Sequence, residues 1–335
     1  MSAMGIDFST PLYALAPLAG FTDLPFRSVV KKFGVDLTVS EMISSNALVH
    51  HSKKTYKMLE KSPLEDHYAI QIAGSDLEVI KRAVEIINQR EGITAIDLNC
   101  GCPAPKVVNN LQGSSLLTDL PQMAKVIETI KRYSNKPYTS VKFRLGFNEK
   151  NHQEIAKICE ESGADYIAVH GRTRAGRYKA AVDYDAIAEV KASVSIPVIA
   201  NGDINSPSKA KWVLEHTQAD GIMIGRAAVG NPWIFKQIKE DMEMPTSTLI
   251  REVVLEHFEQ MLSHYGQYGA VIFRKNLHSY SKAGYQGASA FRDLINRIEE
   301  PSEMRKAVED FFSQPLMSEY MHTVAEEIVC NRADG

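Results

Sequence analysis

The chain of 335 residues is 44% hydrophobic and 24% charged, the balance of an ordinary globular protein long enough for about two domains, or one large domain with an appendage. A formal net charge of -3 excludes a global basic field, so any nucleic-acid partner must be met by local basic patches. Residues 1–10 lack a basic leader with an apolar core, and no later apolar run reaches the roughly 18 residues that a membrane span needs; a soluble, cytoplasmic protein with no membrane contact and no obligate protein partner is expected.

In chain order, eight short apolar runs read as strands: Leu12 to Ala16, Leu37 to Val39, Ala69 to Ile72, Ala95 to Leu98, Thr139 to Phe143, Tyr166 to Val169, Pro197 to Ala200 and Gly221 to Ile224. Amphipathic stretches separate them, such as Leu77 to Asn88, with apolar positions at Leu77, Ile80, Val84 and Ile87, and Gln153 to Glu161 before Gly163. Strand then helix, eight times over, predicts an α/β fold, a (β/α)8 TIM barrel. A doubly wound sheet gives a similar local pattern, but no Gly-x-Gly-x-x-Gly turn follows the first strand. After residue 243 the pattern changes: Thr248 to Tyr265, Ala270 to Ala283, Ser289 to Ile298 and Ser302 to Phe312 read as helices with no strand between them, and a final helix is expected beyond Ser318. A C-terminal all-helical domain over 244–335 thus follows a barrel over 1–243, joined at Met244-Pro245-Thr246-Ser247, where a proline halts one helix and hydroxyl residues cap the next.

The catalytic face of such a barrel is the carboxyl end of its strands, and the residues there are unusually polar. They are Pro17, Leu18 and Ala19, then Glu41, Gln71, Asn99 to Cys102, Lys142 with Arg144, His170 with Arg172, Asn201, Gly202 and Asp203, and Gly225 with Arg226. Gly101 lets the backbone turn and Pro103 stiffens its exit, so the Asn99-Cys100-Gly101-Cys102-Pro103 loop presents Cys102 at a fixed angle. Gly202 and Gly225 expose backbone N–H groups where barrels commonly hold a phosphate, and Arg226 adds a cation. Lys142 suits the electron-accepting edge of a planar ring, and Gln71 and Asn99 suit its carbonyl and N–H edge. These residues point to FMN, since no second nucleotide-binding unit is visible. Four cysteines at 100, 102, 159 and 330 have neither zinc-ligand spacing nor the density of a disulfide framework, so reduced thiols and no metal are expected.

Over nearly its full length the chain resembles the tRNA-dihydrouridine synthase family, its bacterial B branch in particular. The resemblance is carried by Ala16-Pro17-Leu18-Ala19-Gly20-Phe21-Thr22-Asp23, Val39-Ser40-Glu41-Met42, Gln71-Ile72-Ala73-Gly74, Asn99-Cys100-Gly101-Cys102-Pro103, Val169-His170-Gly171-Arg172-Thr173 and Ala200-Asn201-Gly202-Asp203-Ile204. It implies an FMN-bound barrel that reduces uridine to 5,6-dihydrouridine in the tRNA D-loop at the expense of NADPH. Cys102 matches the family's proton donor. Pro17, Leu18, Ala19, Gln71, Lys142, His170, Asn201, Gly202, Asp203, Gly225 and Arg226 match its FMN contacts, with Asn99 read beside them. Hydride delivery to uracil C6 leaves an enolate that needs a proton at C5. A thiol of ordinary pKa, about 8.5, is protonated at pH 7 and supplies one without tuning.

Two positions depart from the family pattern. Cys100 stands where an apolar residue is usual, and it is expected to face the barrel wall and be dispensable. In Arg274-Lys275-Asn276-Leu277-His278-Ser279-Tyr280, Asn276 and Ser279 replace a His and a Trp, while Arg274 and Lys275 remain to meet tRNA phosphates. Arg172 and Arg174, in the basic loop after the sixth strand, are further candidates for RNA contact. The rival reading is an FMN-dependent barrel acting on a free pyrimidine such as dihydroorotate, which shares the cofactor and the cysteine but has no use for the appended helices.

Overall fold

The computed structural model describes residues 5–108 and 112–317. Among the described residues nine strands form: β1 (Leu12–Leu15), β2 (Leu37–Val39), β3 (Ile43–Ser44), β4 (His67–Ala73), β5 (Ala95–Cys100), β6 (Tyr138–Arg144), β7 (Tyr166–His170), β8 (Val198–Asn201) and β9 (Gly221–Ile224). Every pairing is parallel, and the ring closes where β1 meets β9, with Leu12 opposite Gly221 and Leu15 opposite Ile224. Eight strands make the barrel. The ninth, β3, is a two-residue return of the second wall strand: β2 pairs with the start of β4 and β3 with its end. Gly221 sits at the closing seam, where a Cβ would collide with the Leu12 carbonyl oxygen.

The helices form where sequence supplies both a stripe and a cap. Leu77–Asn88 buries Ile80, Ala83, Val84 and Ile87, and Asp76 caps it by accepting from the Val79 amide at 3.0 Å. Pro207–Thr217 starts with proline in its first turn behind the Ser206 cap. The barrel interior is apolar over most of its depth, with Leu12, Ala14, Leu37, Val39, Ala69, Ala95, Tyr166, Ala168, Ile199 and Met223 in one cluster. Alternation along each strand carries these same inward faces on to Gln71, Asp97, Asn99, Lys142, His170 and Asn201. The register sets them side by side: Gln71 opposite Asp97, Asn99 opposite Lys142, Arg144 opposite His170 and His170 opposite Asn201.

The chain divides into two compact units, residues 1–227 and 228–335, earlier than the 243/244 junction expected from sequence. Residues just after Ala228 fold with the helices that follow: the Trp233 ring lies 6.4 Å from that of Tyr280, and a Cβ on Gly230 would meet the Ser279 backbone. The second unit contains Ser247–Tyr265, Gly269–Tyr280, Ala288–Ile295 and Pro301–Phe312, held by Phe258, Phe273, Tyr280, Phe291 and Phe311. The final helix expected beyond Ser318, and Cys330, lie outside the described residues. Among the described residues no helix is long and apolar enough to cross a membrane.

Candidate active site

The inward residues at the carboxyl ends of the strands line a cavity of about 220 Å³ in the first unit. It brings together Pro17, Leu18, Ala19, Gln71, Asn99, Cys102, Lys142, Arg144, His170, Asn201, Gly202, Asp203, Gly225 and Arg226, and it adds Met42 and Tyr178. All but Tyr178 reach the cavity from a strand end or the turn that follows it. The thiol of Cys102 is half-buried, whereas Cys100 and Cys159 are fully buried. Strand parity turns Cys100 to the outer face of β5, where burial beside Cys159 drives its thiol pKa well up.

The Cys102 turn is tied down from three sides. Asn99 Oδ1 accepts from the amides of Gly101 at 3.1 Å and Cys102 at 2.9 Å. Ser114 donates its hydroxyl to the Cys102 carbonyl at 2.9 Å. Arg144 Nε donates to the Gly101 carbonyl at 2.9 Å. Deeper in, Asn99 Nδ2 donates to Gln71 Oε1 at 2.7 Å, Gln71 Nε2 to Asp97 Oδ2 at 2.8 Å, and Ser140 Oγ to Asp97 Oδ1 at 2.7 Å. Burial pushes the Asp97 carboxyl up to about 6 even against these two bonds.

The opposite side of the cavity is cationic. Lys142 Nζ donates to Asn201 Oδ1 at 3.0 Å, and Asn201 Nδ2 to the Met223 carbonyl at 2.7 Å. Burial, with Arg144 nearby, pulls the Lys142 ammonium down to about 8, so at pH 7 it remains mostly charged. Burial together with Lys142, Arg144, Arg172 and Arg226 pushes His170 down to about 2, which leaves a neutral imidazole. Asp203 pairs with Arg172, and with Arg226 at 2.6 Å, and the Arg172 bond holds its carboxyl below the usual range. Gly202 has φ +133°, and a Cβ there would sit 2.9 Å from a Val182 methyl carbon, so only glycine fits this turn. Tyr184 donates its hydroxyl to the Gly202 carbonyl at 2.6 Å and fixes the same turn from behind.

Of the four residues expected to meet RNA, Arg172 alone is buried, and the other three are half-buried. Arg172 is 4% exposed; its guanidinium is committed to Asp203 and the Ala180 carbonyl, so it braces the turn at Asp203. Arg174 is half-buried with its guanidinium 4.7 Å over the Phe147 ring. Arg274 donates to the Ile298 carbonyl at 2.6 Å inside the helical unit, with half-buried Lys275 beside it in the same helix. Sequence reasoning passed over Tyr178, whose exposed ring lies 5.3 Å from the Arg144 guanidinium and 4.6 Å from that of Arg226. It sits in an aperiodic loop with no strand to announce it. Asp97 and Ser140 were hidden inside apolar runs, although their parity with Asn99 and Lys142 marks them as inward.

A closed parallel barrel with its polar groups gathered at the carboxyl mouth defines an enzyme of the (β/α)8 class. The sequence profile described as dihydrouridine synthase (Dus) matches residues 14–316. A probable tRNA-dihydrouridine synthase of Helicobacter pylori (strain ATCC 700392 / 26695) is 54% identical over 304 residues, 90% of this chain and 92% of its own. The tRNA-dihydrouridine synthase B of Pseudomonas syringae pv. tomato is 40% identical over 309 residues, 90% and 91% of the two chains. The old yellow enzyme from Trypanosoma cruzi shares the barrel, with a TM-score of 0.52 over 70% of this chain and 89% of its own at 9% identity. This chain belongs to the dihydrouridine synthase family.

Proposed function

We propose that this protein reduces uridine to 5,6-dihydrouridine in the D-loop of tRNA, in the cytoplasm, with FMN as cofactor and NADPH as reductant. The observation that carries the reading is a half-buried cysteine, Cys102, fixed at the edge of a cation-rich cavity in a chain of this family. The donor set fits FMN. Lys142, Arg144 and Arg226 outnumber the single lining carboxylate, Asp203, which is already shared by two arginines, so the corner favours a phosphorylated anion. After their mutual bonds Gln71 and Asn99 each keep one N–H for a planar ring.

FMN held here and reduced by NADPH would supply the hydride for uracil C6. Cys102 gives the proton to C5, and its thiolate is reprotonated from solvent. Lys142 and Asn201 hold the polar edge of the cofactor; His170, Gly202, Asp203, Gly225 and Arg226 hold its phosphate end, and Pro17 to Ala19 form the wall beside it. Arg174, Arg274 and Lys275 meet tRNA phosphates, the last two from the helical residues 244–335, which serve as the RNA-binding domain. The target uridine must leave its stack to reach the cavity.

Nucleoside mass spectrometry on D-loop-unmodified tRNA tests this, with NADPH and either wild-type protein or Cys102→Ala. Dihydrouridine from the wild type and none from a Cys102→Ala protein that still binds FMN is the expected result. An FMN-loaded wild type that leaves tRNA unchanged refutes the tRNA assignment and favours a free pyrimidine.

A further inference from the structure

Asp97 has no part in the chemistry above, yet it places a carboxylate in the middle of a barrel interior otherwise filled by residues such as Ala69, Ala95, Ala168 and Ile199. An ionised group in such a place is costly unless every lone pair is used. Both oxygens of Asp97 are used, and by neutral donors, Gln71 Nε2 and Ser140 Oγ.

The chain of bonds that starts there has one direction. A backbone N–H only donates, so Cys102 and Gly101 require Asn99 to present Oδ1 to them. Asn99 Nδ2 then faces Gln71, which must present Oε1, and Gln71 Nε2 is left facing Asp97. A carboxylate accepts only and closes the chain at its far end. A terminal amide by itself has no preferred end. With a donor fixed at one terminus and an acceptor fixed at the other, both amides are held in one orientation.

We infer that Asp97 is a positioning residue: its carboxylate orients the Gln71 and Asn99 amides and thereby pins the turn that carries Cys102. The inference rests on the proposed acid role of Cys102 only for its kinetic consequence. The pinning itself is read without any substrate.

The test is the rate at which iodoacetamide alkylates Cys102 in the FMN-loaded protein, with peptide mass spectrometry assigning the modified thiol. An asparagine at position 97 can turn its own amide either way, because the Ser140 hydroxyl can donate or accept, so Asp97→Asn releases the chain. Alkylation of Cys102 is expected to rise about fivefold or more, and kcat for tRNA to fall about tenfold with KM unchanged. Adding Gln71→Glu moves the acceptor one step along: the amide introduced at position 97 and that of Asn99 both donate to the carboxylate introduced at position 71, and the alkylation rate returns to within about twofold of wild type. Wild-type alkylation in Asp97→Asn, or no recovery in the double variant, overturns the inference. Should Asp97→Asn not fold, Gln71→Met cuts the chain and must raise alkylation, whereas Ser140→Ala leaves it whole and must not; the reverse ranking overturns the inference equally. A tRNA-inactive wild type with the expected alkylation pattern defeats the proposed function and leaves the pinning intact.

Discussion

Two carboxylates buried in the first unit, Glu65 and Asp97, are held in opposite ways. Glu65 lies in the wall behind β4, where it takes Arg27 Nε at 2.8 Å, the Thr38 hydroxyl at 2.6 Å and the Ser62 amide at 2.6 Å. Arg27 is 1% exposed and spends its other nitrogens on the carbonyls of Thr22 and Glu60, with its face 4.3 Å from the Tyr68 ring. Asp97 meets neutral donors alone, with Lys142 acting on it through space. In the wall the charge is cancelled and the bonds join a helix, a strand and a loop. In the interior the charge stands and the bonds orient side chains. A paired buried ion ties segments together; one facing neutral dipoles aims them.

The largest effect comes from breaking the paired one. Glu65→Ala strands a buried guanidinium, and urea denaturation should show a loss of roughly 3–5 kcal/mol. Asp97→Asn goes the other way. Its folded pKa is raised from 3.8 to about 6, so ionisation costs the native state on the order of 2–3 kcal/mol at pH 7. The variant should gain part of that at pH 7. The gain should vanish as pH falls from about 6 through 3.8, where the wild-type residue becomes protonated in both states. Equal destabilisation in the two variants breaks the contrast.

Lys142 sharpens it from the cationic side. With its pKa near 8, the ammonium is lost as pH rises above that value, so FMN affinity by fluorescence quenching should fall by up to about tenfold between pH 8 and 9. In Lys142→Met affinity is lower and flat over that range. The smallest effect belongs to Cys100→Ala: with its thiol on the outer face of β5, tRNA reduction should stay within about twofold of wild type. A loss matching that of Cys102→Ala would exchange the roles of the two cysteines.

Most of the barrel was legible because strand-length apolar runs such as Tyr166–His170 and Gly221–Ile224 are bounded by turns. The two residues of β3 were not, since they form only by pairing with Ile72 and Ala73. The rim was legible wherever a polar residue follows an apolar run, as at Asn201 and Gly225. Asp97 escaped because it interrupts such a run, and its partners Gln71 and Ser140 lie 26 and 43 residues away in sequence. Arg172 was misplaced because its charge is visible in sequence while the Asp203 that absorbs it belongs to the next strand end.

The seam between β1 and β9 sets a timetable. Leu12 must wait for Gly221, a separation of about 200 residues, which at ribosomal speeds of about 5–20 residues per second means on the order of 10–40 s. Throughout that interval one edge of the first strand stays open to any passing strand. Closure then depends on a residue without a side chain arriving opposite the Leu12 carbonyl. A substitution at Gly221 would therefore be felt first in the nascent protein, as lost yield and aggregation during synthesis, before any assay of the finished enzyme could register it.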